Sequence, residues 1–235
     1  EQGGAKKGQG LVVGYDSRFL AEKYASLIAG VLSGNGIKTI LSDKSVPSPC
    51  VSFAIVERKC SGGVMVTASH NPPEFCGIKF KAPYGGPATE EITGEIEKNL
   101  YRSKIPDSIN SELIIREDLV PSYLVRLKSF TDFKLIKEAN LKIVADPMHG
   151  VGNSHIQEIL KDTNCDVLTL HAQRDPLFGG LNPEPIEENL VELKNKMKET
   201  GADLGLATDG DADRIGVIDE KGNYFTPHLV FPLLL

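Results

Sequence analysis

The stretch GLVVGYDSRFLAEKYASLIAGVLSGNGIKTILSDKSVPSPCVSFAIVERKCSGGVMV, residues 10–66, alternates two kinds of apolar pattern. GLVVGYD (10–16) is a short apolar run. Ala21, Tyr24, Ala25, Leu27, Ile28, Val31 and Leu32 then recur at spacings of three and four, as on one helical face. GNG (34–36) stops that helix, IKTIL (37–41) reads as the next strand, VPSP (46–49) as a turn, CVSFAIVERKC (50–60) as a helix and GGVMV (62–66) as a buried strand. This strand-helix-strand-helix-strand order predicts a mostly parallel sheet with helices on both faces. Ligands of such sheets bind beyond the carboxyl ends of the strands. TASHNPP (67–73) stands where the third strand runs out.

Between about 100 and 138 the pattern loosens into the polar, loop-like YRSKIPDSINSEL (101–113), followed by VPSYLVRLKSF (120–130), a helix opened by proline. From 141 the alternation restarts with LKIVAD, GVGNSHIQEILKD, CDVLTLH, a Pro- and Gly-rich loop at 174–186, the helix IEENLVELKNKMKETG, ADLGLA and RIGVID. The expected fold class is α/β, with two three-layer α/β/α domains built on mostly parallel mixed sheets, residues 1–138 and 139–235. YFTPHLVFPLLL (224–235) stops in an apolar run with no polar cap. The second domain is therefore expected to be cut short, with further chain or a partner covering that run.

A chain of 235 residues with 40% hydrophobic and 25% charged content has the composition of a soluble protein with a substantial core. No stretch of about 18 consecutive apolar residues is present, and the polar start EQGGAKKGQG lacks the apolar core of a signal peptide. The expectation is a cytoplasmic protein with no membrane partner. Cys50, Cys60, Cys76 and Cys165 lack C-x-x-C spacing, so they read as reduced and mostly packed rather than as disulfides or a zinc site. The net charge is −6 with no long basic block, which argues against a nucleic-acid partner. A few cations within one cleft can still bind an anionic substrate.

LGLATDGDADRIGVID (204–219) sets Asp209, Asp211 and Asp213 alternately with Gly210 and Ala212. Three carboxylates can converge there while the small residues let the backbone curl round a cation. Hard oxygen ligands at this density suit Mg²⁺ or Ca²⁺ rather than zinc. An EF-hand loop would need glycine at its sixth position, where Arg214 stands, and helices on its flanks, where LGLA and IGVID read as strands. The bland alternative is a solvated acidic hairpin turn. Crowding three carboxylates between buried strands counts against it, since Arg214 alone cannot balance them.

Ser69 is not a nucleophile elbow, because G-x-S-x-G is absent, and adjacent His70 cannot readily act as its triad base. Pro72 and Pro73 stiffen the loop, while Thr67 and Asn71 can hydrogen-bond backbone groups within it. A rigid serine at a ligand-binding edge suits phosphoryl transfer. Lys79 is the nearest cation for phosphate charge or a proton; its plain alternative is a solvated lysine on a strand. His70 alone reads as a hydrogen-bonded structural residue, and Asp16 and Arg18 as a local ion pair supporting the loop or, alternatively, as part of the same carboxyl-end cleft.

TASHNPPEFCGIKF and TDGDADR together resemble the α-D-phosphohexomutases, the phosphoglucomutase and phosphomannomutase enzymes. GYDSRF, ADPMHGVG and LNPEP are similar to that family's recurring segments and come in its order. The resemblance implies that Ser69 carries a phosphoryl group and that Asp209, Asp211 and Asp213 bind Mg²⁺, completed by the phosphoserine. It implies that Arg214 contacts phosphate and that Lys79 assists proton transfer or charge stabilisation. On this reading Ser69, Lys79 and His70 are the catalytic candidates, and Arg214, Lys79, Asn71 and Arg18 the substrate-binding ones. The reaction implied is reversible exchange between a hexose 1-phosphate and a hexose 6-phosphate, so the partner is a phosphorylated hexose.

Family members are expected to have four domains, of which this chain resembles the first two. The loops of the third and fourth domains that recognise sugar and phosphate are missing, so little or no mutase activity is expected of these residues alone. Three alternatives stand beside the hexose enzymes: a phosphoglucosamine mutase, a Mg²⁺-dependent phosphomonoesterase using Ser69, and a non-catalytic metal-binding domain.

Overall fold

Neighbouring residues of the first strand, β1 (Leu11–Tyr15), belong to different cores, and this separates the layers around the first sheet. The computed structural model describes residues 9–102 and 104–234; the polar opening segment 1–8 lies outside them. The chain divides into two compact units. One comprises the chain to Asp16, Leu20–Thr67 and Cys76–Tyr123; the other comprises Ser17–Phe19, Ala68–Phe75 and the chain from Leu124 onward. The sequence expectation placed the change of domain at 138/139, and the serine loop and Arg18 sit with the second unit.

In the first unit β1 is followed by α1 (Ala21–Gly34), β2 (Thr39–Ser42), α2 (Ser48–Glu57), β3 (Gly63–Val66), β4 (Ile78–Lys81), α3 (Glu90–Lys98) and β5 (Ile114–Glu117). The sheet order is β4-β3-β1-β2-β5. All its pairings are parallel except β3 with β4. Val12 and Met65 join Cys50, Val51, Ala54 and Ile55 of α2 on one face. Val13, Tyr15, Leu41, Val64 and Val66 meet Ala21, Ala25 and Ala29 of α1 on the other. Burying each of the larger side chains contributes about 1.5–3 kcal/mol, so the period-two alternation of the strands fixes the three layers.

The polar region after residue 100 yields a strand that its sequence did not announce. β5 is an edge strand with half-exposed residues, so it lacks a continuous apolar run. α4 (Val120–Ser129) follows as expected, and Val120 and Tyr123 at its start pack on the α2 face.

The second unit contains α5 (Phe133–Glu138), β6 (Lys142–Asp146), α6 (His155–Leu160), β7 (Asp166–Thr169), α7 (Val191–Thr200), β8 (Leu204–Thr208), β9 (Ile215–Asp219), β10 (Tyr224–Phe225) and α8 (Pro227–Leu233). The order is β10-β9-β8-β6-β7, with β6 parallel to β7 and β8, and antiparallel pairing of β8 with β9 and β9 with β10. Val144, Ala207 and Ile218 pack on Leu193 and Met197 of α7. On the opposite face Thr169, register partner of Ala145, donates its hydroxyl to Gln157 of α6 at 3.3 Å. Both units are thus three-layered with mixed sheets, and the aspartate loop is the hairpin connection between β8 and β9. All four cysteines are free; Cys50 and Cys60 are buried, Cys165 is half-buried and Cys76 is exposed. Among the described residues no helix is long and apolar enough to cross a membrane.

Candidate active site

The serine loop makes two tight turns, with Asn71 N–H donating to Ala68 O at 3.0 Å and Phe75 N–H donating to Pro72 O at 3.1 Å. Ser69, inside the first of them, has φ +54°. That left-handed backbone costs a non-glycine residue about 1–3 kcal/mol and persists only where surroundings enforce it. The side chain is buried, and its Oγ donates to Asp209 Oδ2 at 2.8 Å.

Asp209 and Asp211 are fully buried, and an oxygen from each of Asp209, Asp211 and exposed Asp213 lies within 4.8 Å of the others. Asp209 Oδ1 accepts the N–H groups of Asp213 and Arg214 at 2.9 and 3.0 Å. Ala212, at φ +54°, tightens the curl. Gly210 is required by a close approach: a Cβ there would stand 2.6 Å from Ser69 O. Behind it, Val151 N–H donates to Gly210 O at 3.1 Å, and a Cβ on Gly150 would meet that oxygen at 2.8 Å.

Burial pushes the Asp209 carboxyl up to about 7, reinforced by the charges of Asp211 and Asp213 and opposed by the hydrogen bonds from Ser69 and Arg214. Such a cluster is stabilised by a cation that neutralises it. The oxygen donors, their convergence and their burial fit a hard divalent ion. A solvated acidic turn does not describe two fully buried aspartates, and the strands β8 and β9 on either side exclude an EF-hand.

His70 and Arg214 share one neighbour. His70 Nε2 lies 4.0 Å and Arg214 Nη1 3.5 Å from Glu184 Oε1. Asn71 is exposed at the loop tip. Lys79 belongs to the first unit, on β4 opposite Met65.

Arg18 reaches into the serine loop. It is fully buried; Nη1 donates to Pro72 O at 2.7 Å and Phe75 O at 2.8 Å, and Nη2 to Ser69 O at 2.8 Å and Asn71 O at 2.7 Å. Both of its terminal nitrogens are thus engaged with the loop's carbonyls, so what the structure shows of Arg18 is a support of the serine loop.

Sequence reasoning missed Phe178, Glu184 and the pair Asp146–His171. Phe178 is buried at φ +51°, with its ring centroid 5.0 Å from Arg18 Cζ. His171 Nδ1 lies 3.0 Å from Asp146 Oδ1, which also accepts Met148 N–H at 2.8 Å, and His171 Nε2 lies 3.3 Å from Glu192. Burial lowers the His171 pKa, but Asp146 and then Glu192 outweigh it, leaving the imidazole above its ordinary value. The available signal was position: Asp146 ends β6 and His171 stands two residues beyond β7, both at carboxyl ends of adjacent parallel strands.

Residues 1–105 match the family model described as Phosphoglucomutase/phosphomannomutase, alpha/beta/alpha domain I, and residues 121–222 match that of domain II. A Phosphoglucomutase/phosphomannomutase of Thermococcus kodakarensis is 33% identical over 227 residues, covering 95% of this chain and 49% of that protein. A protein of Methanosarcina barkeri assigned as a phosphoglucosamine mutase is 37% identical over 217 residues, covering 91% and 48%. The crystal structure of a protein from Thermus thermophilus assigned as a phosphomannomutase superposes with a TM-score of 0.84 at 36% identity, covering 95% of this chain and 51% of that one. The chain spans about half the length of the relatives it matches.

Proposed function

We propose that this chain, which belongs to the phosphoglucomutase/phosphomannomutase family, carries the phosphoryl-transfer machinery of an enzyme that exchanges phosphate between the 1- and 6-hydroxyls of a hexose. The observation that carries the reading is the 2.8 Å hydrogen bond from Ser69 Oγ to Asp209 Oδ2, which joins the serine loop to the carboxylate cluster. On this reading residues 1–138 are domain I and 139–235 domain II.

Ser69 carries the phosphoryl group. The free sugar hydroxyl attacks phosphorus, forming its P–O bond as the bond from phosphorus to Ser69 Oγ breaks. The hydroxyl proton is lost to a base and Oγ regains a proton, with Lys79 assisting this transfer or stabilising charge. The bisphosphorylated sugar then reorients and returns its other phosphate to Ser69. Arg214 contacts phosphate and Asn71 the substrate, while His70, which shares Glu184 with Arg214, is a further catalytic candidate. Asp209, Asp211 and Asp213, with the phosphate on Ser69, would hold Mg²⁺, which when bound supplies electrostatic stabilisation of the transferring group. Phosphate monoesters hydrolyse slowly enough that enzymes lower the barrier by about 20 kcal/mol or more. Fixed charges around a rigid nucleophile are a suitable source of that stabilisation.

Glucose and mannose phosphates are the proposed substrates. A 2-amino sugar phosphate is the second reading, favoured by the 37% identical relative assigned as a phosphoglucosamine mutase. Because the chain spans half of such relatives, it is proposed to take up phosphate without completing the exchange at an appreciable rate. The test is intact mass and peptide mapping after incubation with a hexose 1,6-bisphosphate and Mg²⁺. One phosphoryl group retained on Ser69 supports the mutase, and steady release of inorganic phosphate favours a phosphomonoesterase. Uptake that is unchanged in Ser69→Ala, or absent in the parent chain, sinks the reading.

A further inference from the structure

Arg18 is a buried cation wrapped by carbonyls of the loop that bears Ser69. A guanidinium presents its N–H donors in a rigid planar fork. Here the two terminal nitrogens span the carbonyls of Ser69, Asn71, Pro72 and Phe75, all at 2.7–2.8 Å, short for N–H···O bonds and characteristic of a charged donor. Those acceptors lie 51 to 57 residues from Arg18 in sequence and are all main-chain atoms. Any residue types could supply such oxygens, so their convergence depends on loop conformation.

Two further observations link this cage to the aspartate cluster. Phe178 stacks on the Arg18 guanidinium at 5.0 Å from a left-handed backbone uncommon for an aromatic residue, followed by Gly179 and Gly180 at φ +67° and +82°. The same ring borders Gly210, where a Cβ would lie 3.5 Å from Phe178 Cε1 and 2.6 Å from Ser69 O. Ser69 is therefore held from both sides. Arg18 Nη2 takes its carbonyl at 2.8 Å and Gly210 abuts the same oxygen, while its Oγ reaches Asp209. Rotating the Ser69 backbone out of φ +54° would break the carbonyl contact and swing the hydroxyl away from the carboxylate.

We propose that Arg18, backed by Phe178, is a positioning residue that locks Ser69 in its left-handed conformation with its hydroxyl on Asp209. Such pre-organisation accelerates a transfer that requires aligned reacting atoms. The catalytic consequence rests on the phosphoryl-transfer reading above; the locking of the loop does not. Lysine at position 18 keeps the charge but offers a single nitrogen with three donors, which cannot span four carbonyls.

The experiment compares Arg18→Lys and Phe178→Leu with the parent chain by two readouts. The first is amide hydrogen exchange over residues 68–75, referenced to β6 and β8. Losing the charged hydrogen bonds in Arg18→Lys, or the ring that backs the guanidinium in Phe178→Leu, should speed loop exchange by about tenfold or more, with both reference strands unchanged. The second is phosphorylation of Ser69 by glucose 1,6-bisphosphate. Its rate at saturating bisphosphate should fall by about tenfold or more while the half-saturating concentration stays within about twofold. Loop exchange unchanged in both variants, or quickened equally in the loop and in the reference strands β6 and β8, overturns the proposal. A loosened loop that phosphorylates at the parent rate also overturns it. If Arg18→Lys fails to fold, Phe178→Leu decides alone on the same readouts. If the parent chain takes up no phosphate, the functional reading fails, and the exchange measurement still decides whether Arg18 locks the loop.

Discussion

Ser69 Oγ and Asp209 Oδ2 stand 2.8 Å apart although 140 residues separate them in the chain. The contact requires Ser69 at φ +54°, which makes its side chain separable from its backbone by mutation. Ser69→Ala removes the hydroxyl and keeps the strain, whereas Ser69→Gly removes both. Neither variant should accept phosphate. Ser69→Gly should be the more stable by about 1 kcal/mol, since glycine adopts positive φ freely. Denaturant unfolding of the two variants side by side measures the difference.

Gly210 is a point of close approach between the two loops. Gly210→Ala would drive a methyl to 2.6 Å from Ser69 O, against a backbone also confined by Gly150 and Phe178. A stability loss of about 1–3 kcal/mol is expected from overpacking, together with loss of phosphate uptake. Retained uptake at parental stability would show that the loops do not need this close approach.

The carboxylate cluster links metal, pH and stability. In the unfolded chain Asp209 ionises near 3.8, whereas burial and its like-charged neighbours hold it up to about 7 in the folded protein. Between those values the folded state binds more protons, so metal-free stability should fall as pH rises through that window. A Mg²⁺ ion held by the three aspartates would compensate the charge and compete with the proton. The rise in melting temperature on replacing chelator with Mg²⁺ should therefore be larger at about pH 8 than at about pH 5.5, and at a hundredfold excess over Kd it corresponds to about 2.7 kcal/mol. Asp209→Asn should reduce the Mg²⁺ effect and flatten this pH dependence.

His171 supplies a dependence of the same sign from a different place. Its folded pKa is raised by buried Asp146 and, less, by exposed Glu192. The stabilisation is complete below its ordinary value of 6.5 and is lost as pH rises through the higher folded value. His171→Gln should therefore cost more stability at about pH 6 than at about pH 8.5. Because His149 N–H donates to His171 O and Val151 N–H to Gly210 O, the loosened turn should also slow phosphate uptake.

Much of this molecule was legible in the sequence because its chemistry is concentrated where secondary structure changes. TASHNPP follows an apolar strand, and three alternating aspartates separate two others, so residue type and position pointed the same way. β5 was hidden because a half-exposed edge strand has no continuous apolar run. For Arg18 the sequence suggested support of the loop but not its means: a sequence shows an arginine and nearby acids, but not main-chain carbonyls gathered from a loop 51 residues away. Phe178 was hidden by its positive φ, for which the following glycine pair was the available hint.

The measurement closest to the central claim is the phosphorus NMR signal of the chain phosphorylated on Ser69, titrated with Mn²⁺ as a paramagnetic stand-in for Mg²⁺. If the serine and the three aspartates serve one metal, one equivalent of Mn²⁺ should broaden the phosphoserine resonance beyond detection, and Asp209→Asn should preserve the line at that concentration. A phosphoserine resonance that stays sharp while Mn²⁺ is bound at Asp209, Asp211 and Asp213 would contradict the account.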